Sequence, residues 1–260
     1  MRGILLSILS LMILQSCLTP KKIIKIEEKA IQFLAESKPE YDFIFLYKNL
    51  SEKLCWPELH HVKNFRLYED SLKNAGDKNS QKILHNIYLY KRIFDSNHKI
   101  DSSDIANATD LNLLSLKALY CDCFKINSDT YLKELENIAG QGEYYTTHSL
   151  LHLYWLKKYN CLKKSDLIVT EKILVKANKN LIKTGKTKLN DIQIESMALI
   201  QANNHPIPFK WLNQIAKNQN DDGGWSPDAN LKSSSHTTVL ALWTLGEYRR
   251  KIQKKCRILK

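Results

Sequence analysis

The chain is poor in glycine and proline, with 8 and 6 residues among 260. That scarcity excludes a collagen-like chain and argues against a turn-rich β-sandwich, so helices are expected. Acidic residues are also the minority, 27 against 39 Lys and Arg, for a formal charge of +12. No C-x-x-C pair occurs among the 6 cysteines, which excludes a zinc ribbon. The longest apolar stretch, Ile4 to Leu14 interrupted by Ser7 and Ser10, falls well short of the roughly 20 residues of a spanning helix. What remains is 43% hydrophobic and 25% charged, enough to bury a core.

Arg2, the apolar stretch and Gln15-Ser16-Cys17 follow the order of an export signal: a positive start, an apolar middle and a small residue before the cut. Leu14-Gln15-Ser16-Cys17 resembles the bacterial lipoprotein box. The resemblance implies that residues 1–16 are a signal peptide and that Cys17 carries a diacylglycerol thioether. An ordinary secretory signal with an incidental cysteine is the competing reading. Two or more acyl chains, such as palmitate, would anchor the protein stably in a membrane of the cell envelope. Cleavage removes only Arg2 from the charge count, so 38 basic against 27 acidic residues leave +11. Lys21, Lys22 and Lys25 follow the anchor and would lie near lipid headgroups. An exported chain with no nucleic-acid motif is not expected to bind nucleic acid; a solvated lysine-rich surface accounts for the charge as well as an acidic glycan does.

After Cys17 there remain Cys55, Cys121, Cys123, Cys161 and Cys256, an odd number, so at least one is unpaired within the chain. Cys121 and Cys123, two apart on a helix, point to different sides and are poor partners for each other. These cysteines are expected mainly as small core residues.

From Ile24 onward, apolar residues three and four apart alternate with short polar breaks, as in Ile83, Ile87, Tyr90 and Phe94, or Leu132, Leu135 and Ile138. Ser128-Asp129, Ser165-Asp166 and Asn190-Asp191 supply capping residues in those breaks. The expectation is an all-α chain of about nine to eleven helices, with residues 17–260 forming one domain. The helices also repeat. Tyr131-Leu132 matches Trp211-Leu212, and His148 and Trp155 match His236 and Trp243, while Leu167 to Ile182 with Ile192 to Ala202 lies between. A period near 40 residues per helix pair suits helical-hairpin repeats, as an open solenoid or a closed ring.

Gln219, Asp222, Gly223, Gly224 and Trp225 resemble the Q-x-x-D-G-G/S-W repeat of triterpene cyclases and related toroids. The next segment, His236-Thr237-Thr238 with spaced leucines up to Leu245, resembles the inner helix that follows this repeat and the surroundings of the zinc histidine in protein prenyltransferase β-subunits. Over residues 211–245 the resemblance implies an (α/α) toroid, or an arc, of about five to six hairpins. It also implies a bracing role for the five motif residues: the glycines allow a tight reversal, Gln219 and Asp222 bond helix ends, and Trp225 fills the wedge between hairpins.

The chemistry those families use is missing. D-x-D-D occurs nowhere, the Asp-x-Cys zinc pair has no counterpart in register, and Gly140-Gln141-Gly142-Glu143 has glutamine where a thioester loop has cysteine. One constellation remains. His148 and His236, placed at equivalent positions, with Glu143, Asp191 and Glu195, would form a polar cluster at one cavity mouth with acid, base and ligand groups. His152, one turn beyond His148, adds a weak metal alternative with His148 and His236; as helix-start caps or cavity lining, the same residues would be structural. No cofactor is implied. The expected function is therefore a lipid-anchored envelope protein whose toroid binds a glycan or peptide without catalysis. The rivals are a toroid-family hydrolase, lyase or cyclase using the His/carboxylate cluster, and an envelope scaffold protein.

Overall fold

The computed structural model describes residues 18–253, apart from 39, 107, 109, 184–188, 229 and 230. The expected signal segment, residues 1–16, and the expected lipidation site Cys17 lie outside the described residues. Thirteen α-helices and two 3₁₀ turns make up the described chain, eleven of the helices having nine or more residues. They are α1 (Pro20–Glu36), α2 (Tyr41–Leu54), α3 (His60–Lys63), α4 (Phe65–Ala75), α5 (Lys78–Tyr90), α6 (Asp110–Leu119), α7 (Cys121–Phe124), α8 (Ser128–Ile138), α9 (Glu143–Lys158), α10 (Leu167–Lys183), α11 (Asp191–Ala202), α12 (Phe209–Lys217) and α13 (Ser235–Gln253). Among the described residues there is no strand, only an isolated bridge between Trp225 and Ser234, and no helix is long and apolar enough to cross a membrane.

Local signals set the helix starts. Thr19 caps α1 just before Pro20, whose missing N–H costs nothing in the first turn. Asp77 accepts from the backbone N–H groups of Asn79 and Ser80 to start α5. Asn190 and Gln193 form a reciprocal capping box on α11. At α8 the capping side chain is Asn127, one residue before the expected pair. Asp166 folds back onto the Lys163 N–H at 2.7 Å instead of capping α10.

The apolar faces meet in one core. Ile87, Leu132 and Leu135 are buried in it, and Ile83, Tyr90, Phe94 and Ile138 pack against it. Helix α6 packs on α9, α9 on α11, α11 on α13 and α13 on α2, while α8, α10 and α12 lie against α9, α11 and α13. Helix α1 also packs along α13. There Arg249 and Glu27, 1% and 0% exposed, form an ion pair at 2.6 Å, and Arg249 also donates to the Leu54 carbonyl.

Cys121 is buried in the core, and Cys123 and Cys161 pack against it, as expected of small core residues. Cys121 and Cys161 form a disulfide that ties α7 to the chain just after α9. Cys55 is also disulfide-bonded, and Cys123 is free. Spacing could not reveal this pairing, because it depends on α7 and the end of α9 being packed side by side.

Candidate functional site

A cavity of about 240 Å³ is lined from six parts of the chain: α2, α5 with its following turn, α6, α9, α11 and α13. Its walls are mainly apolar and aromatic: Tyr41, Phe45, Tyr90, Tyr154, Trp155 and Trp243, with Leu46, Ile93, Leu151, Leu199 and Leu240. Asn49, Asn112 and Ser115 are polar points among them. The pairs recognised from the repeat, His148 with His236 and Trp155 with Trp243, all reach this one cavity.

The charged lining, Asp42, Glu195 and His236, gathers near helix starts, with Asp191 beside it but outside the lining. Asp42 lies in the first turn of α2, Asp191 opens α11 with Glu195 one turn on, and His236 is the second residue of α13. Unpaired N–H groups at helix N-termini favour carboxylates, so three converging N-termini suit three acids. His236 sits between them. Its Nδ1 is 3.3 Å from Asp42 Oδ2 and its Nε2 is 3.8 Å from Asp191 Oδ2. Asp191 is itself oriented by Thr237, whose hydroxyl donates to Oδ1 at 2.5 Å.

The environments push these groups apart. Desolvation alone would lower the His236 pKa, but the Asp42 hydrogen bond and the Asp191, Asp42 and Glu195 charges outweigh it and raise it to about 9. Burial would raise Asp42; the hydrogen bond and charge of His236 win and hold its carboxyl below the usual range. Glu195 shows the opposite result. Its burial raises the pKa against the attraction of His148 and His236, with Asp191 adding to the rise. At neutral pH the cavity therefore carries an imidazolium clamped by an ionised Asp42, beside the Glu195 carboxyl, whose pKa burial raises.

His148 lines the same cavity, with its Nδ1 3.1 Å from the Tyr144 carbonyl. His152 does not join it. It is fully buried, 2.7 Å from the Ser115 hydroxyl through Nε2, and desolvation with the nearby His148 lowers its pKa to about 3. Since Ser115 donates to the Leu111 carbonyl, the imidazole must donate through Nε2, leaving Nδ1 without a partner. Glu143 does not line the cavity. Among the described residues, no group of three or more His, Cys, Asp or Glu side chains is arranged to hold a metal ion.

Asp42 is the site residue that sequence reasoning missed. It lies nearly 200 residues before His236 and outside the recognised repeats, and a first-turn acid on a helix is too common to single out. Tyr41, Asn49 and Asn112 carried no signal either.

The motif around Trp225 is structural and binds different groups from those expected. Gln219 donates to the carbonyls of Gly223, at 2.8 Å, and Ile26, at 2.9 Å, the latter in the middle of α1 and not at a helix end. Asp222 accepts from the Gly224 N–H and the Ser233 hydroxyl, closing the loop on itself. The helix-end carbonyl is met by Trp225, whose indole donates to Ile215 in the last turn of α12 at 2.8 Å. Gly223 has φ +90°, and a Cβ there would lie 2.4 Å from the Lys29 carbonyl oxygen.

No protein-family model, no curated protein and no solved structure matches this chain.

Proposed function

We propose that the chain is a lipid-anchored protein of a bacterial cell envelope, built as an (α/α) toroid, that binds a peptide in its cavity. The toroid reading is supported by the order of packing, which runs from α6 through α9, α11 and α13 to α2 and returns through the turn after α5. The resemblance of residues 211–245 to toroid repeats supports it independently. The anchor reading rests on the Leu14-Gln15-Ser16-Cys17 box.

The observation that carries the binding function is the contrast within the cavity, aromatic walls ending in Asp42, His236 and Glu195, with Asp191 next to His236. A dry cavity of roughly 150 Å³ holds a benzene ring, so about 240 Å³ admits one large apolar side chain. The adjoining backbone or amine would then meet carboxylate acceptors and the His236 donor. A sugar, polar around its whole ring edge, would leave hydroxyls unpaired against Leu151, Leu199 and Leu240. The open cavity also favours a ligand over the scaffold reading, for which side chains would fill it.

Isothermal titration with short peptides carrying one aromatic or aliphatic side chain, against envelope oligosaccharides, tests the assignment. Peptide binding that weakens in Leu240→Trp, which fills the cavity, is expected. Binding of oligosaccharides alone, or of neither class, would overturn it.

A second reading has its own support. Glu195 with its pKa raised by burial and Asp42 held ionised, on one cavity, is the arrangement of an acid and a base with separated pKa values. If the protein turns over its ligand, Glu195→Gln abolishes product formation while binding persists.

A further inference from the structure

Two of the helices whose starts build the His236 cluster, α2 and α13, end in cations, and so does α9 beside them. Lys53 lies in the last turn of α2, Lys158 is the last residue of α9, and Arg250 and Lys251 occupy the last turn of α13. Helix C-termini carry the negative end of the backbone dipole and stabilise such charges. Arg92, from the turn after α5, joins them: its charge and that of Lys53 both act on Lys158.

Two carboxylates face this group. Glu247 pairs with Lys53 and Arg250, and Asp122 takes both guanidinium nitrogens of Arg92 at 2.5 and 2.6 Å. Those two acids pair with Lys53, Arg250 and Arg92 and leave Lys158 and Lys251 as surplus positive charge, without an ion pair among the described residues. The surplus is felt: burial, then Arg92 and Lys53, lower the Lys158 pKa to about 8. Lys251 is lowered by burial and by Arg250 and Lys53, against Glu247. Lys158 is nonetheless held in place, its Nζ 2.8 Å from Oδ1 of Asn49 and 3.1 Å from the carbonyl of Ile93, both cavity-lining residues, and both lysines are exposed. The sequence beyond Gln253 adds Lys254, Lys255, Arg257 and Lys260 and no acid.

The N-terminal end of α1 lies on the same side of the molecule. The C-terminal end of α1 leads within five residues to Tyr41, beside Asp42, so the 17-residue helix, roughly 25 Å long, runs away from the His236 cluster toward its own N-terminus. Glu27, midway along α1, is bonded to Arg249, the neighbour of Arg250 and Lys251. Exposed Lys21, Lys22 and Lys25 thus extend the basic face toward the point where residues 1–17 join the chain.

We propose that this basic end, with Lys158 and Lys251 at its centre, docks on an anionic lipid surface and turns the His236 cluster away from the membrane. The inference deepens the membrane reading above and rests on it for the choice of a lipid surface as partner. Lipid phosphates supply the negative charge that Lys158 and Lys251 lack.

The full-length purified protein is mixed with vesicles of phosphatidylcholine, or of an equal mixture with phosphatidylglycerol, and exposed lysines are acylated with a water-soluble reagent and mapped by mass spectrometry. Lys158 and Lys251 should be shielded on the anionic vesicles and reactive on the neutral ones. The double variant Lys158→Gln/Lys251→Gln should bind anionic vesicles on the order of 10-fold more weakly at low salt, and the difference should shrink as salt is raised. Equal labelling on both vesicles, shielding confined to Lys21, Lys22 and Lys25, or equal shielding by inorganic phosphate alone would each overturn the proposal. If only the acyl anchor is wrong, binding to neutral vesicles disappears while the charge-dependent shielding persists, so the two failures are distinct.

Discussion

Arg249 and Glu27, 222 positions apart, form an ion pair of 2.6 Å that water does not reach. The pair joins the first described helix to the last. Trp56 reinforces it by donating to the other Glu27 oxygen at 3.4 Å. Breaking such a pair by removing one partner leaves an uncompensated buried charge, which costs about 3–5 kcal/mol. Glu27→Gln is therefore expected to lower the urea midpoint sharply, whereas the double variant Glu27→Leu/Arg249→Met should recover much of the loss. A single variant that unfolds at the wild-type midpoint would show that the pair contributes nothing.

His236 makes stability depend on alkaline pH. Its folded pKa, about 9, lies above the ordinary 6.5. The stabilisation is therefore fully present below pH 6.5 and is lost as pH rises through 9. A thermal melt series from neutral to alkaline pH should show Tm falling, and His236→Gln should flatten that slope. Asp42, held below the usual carboxylate range, contributes the complementary loss in acid.

His152 acts in the opposite direction. Its folded pKa of about 3 lies below the ordinary value. Protons therefore bind the unfolded chain preferentially between those values, and stability falls as pH drops below about 6.5. His152→Gln should remove about one proton from the acid-unfolding dependence, measured by urea midpoints across that range. An unchanged dependence would place His152 in water, contrary to its full burial.

Gly223 cannot be replaced cheaply. A φ of +90° strains any side chain, by about 1–3 kcal/mol for the backbone alone, and the added Cβ would strike the Lys29 carbonyl at 2.4 Å. Gly223→Ala should loosen α1 from the 219–225 loop, read as faster hydrogen exchange in the N-terminal half of α1. Trp225→Ala removes a side chain 1% exposed and is expected to cost about 3–5 kcal/mol.

The Cys121–Cys161 bridge closes a loop with a sequence separation of 40. Replacing Cys161 by Ser should lower stability by about 2–4 kcal/mol, mainly by freeing the unfolded chain. Chemical denaturation of the variant beside the oxidised wild type measures the difference directly.

The helices were legible because their signals are local. Apolar spacing placed Ile87, Leu132 and Leu135 on buried faces, and Asn190 announced α11 through its own side chain. The repeat-matched pairs His148 with His236 and Trp155 with Trp243 all line one cavity, although sequence grounds place only the histidines there. The same matching brought in His152 and Glu143. Proximity along a helix does not say which side chain turns to the cavity and which, like His152, enters the core between α9 and α6.

By itself the sequence determined an all-α chain, because periodicity, caps and the lack of Gly and Pro act within one or two helical turns. Only the tertiary structure decided that Asp42 faces His236, that Gln219 holds the middle of α1, that Cys121 finds Cys161, and that acids and bases collect at opposite helix ends. Those relations join segments tens to hundreds of residues apart. Their energies depend on distance and desolvation, which exist only once the helices have packed.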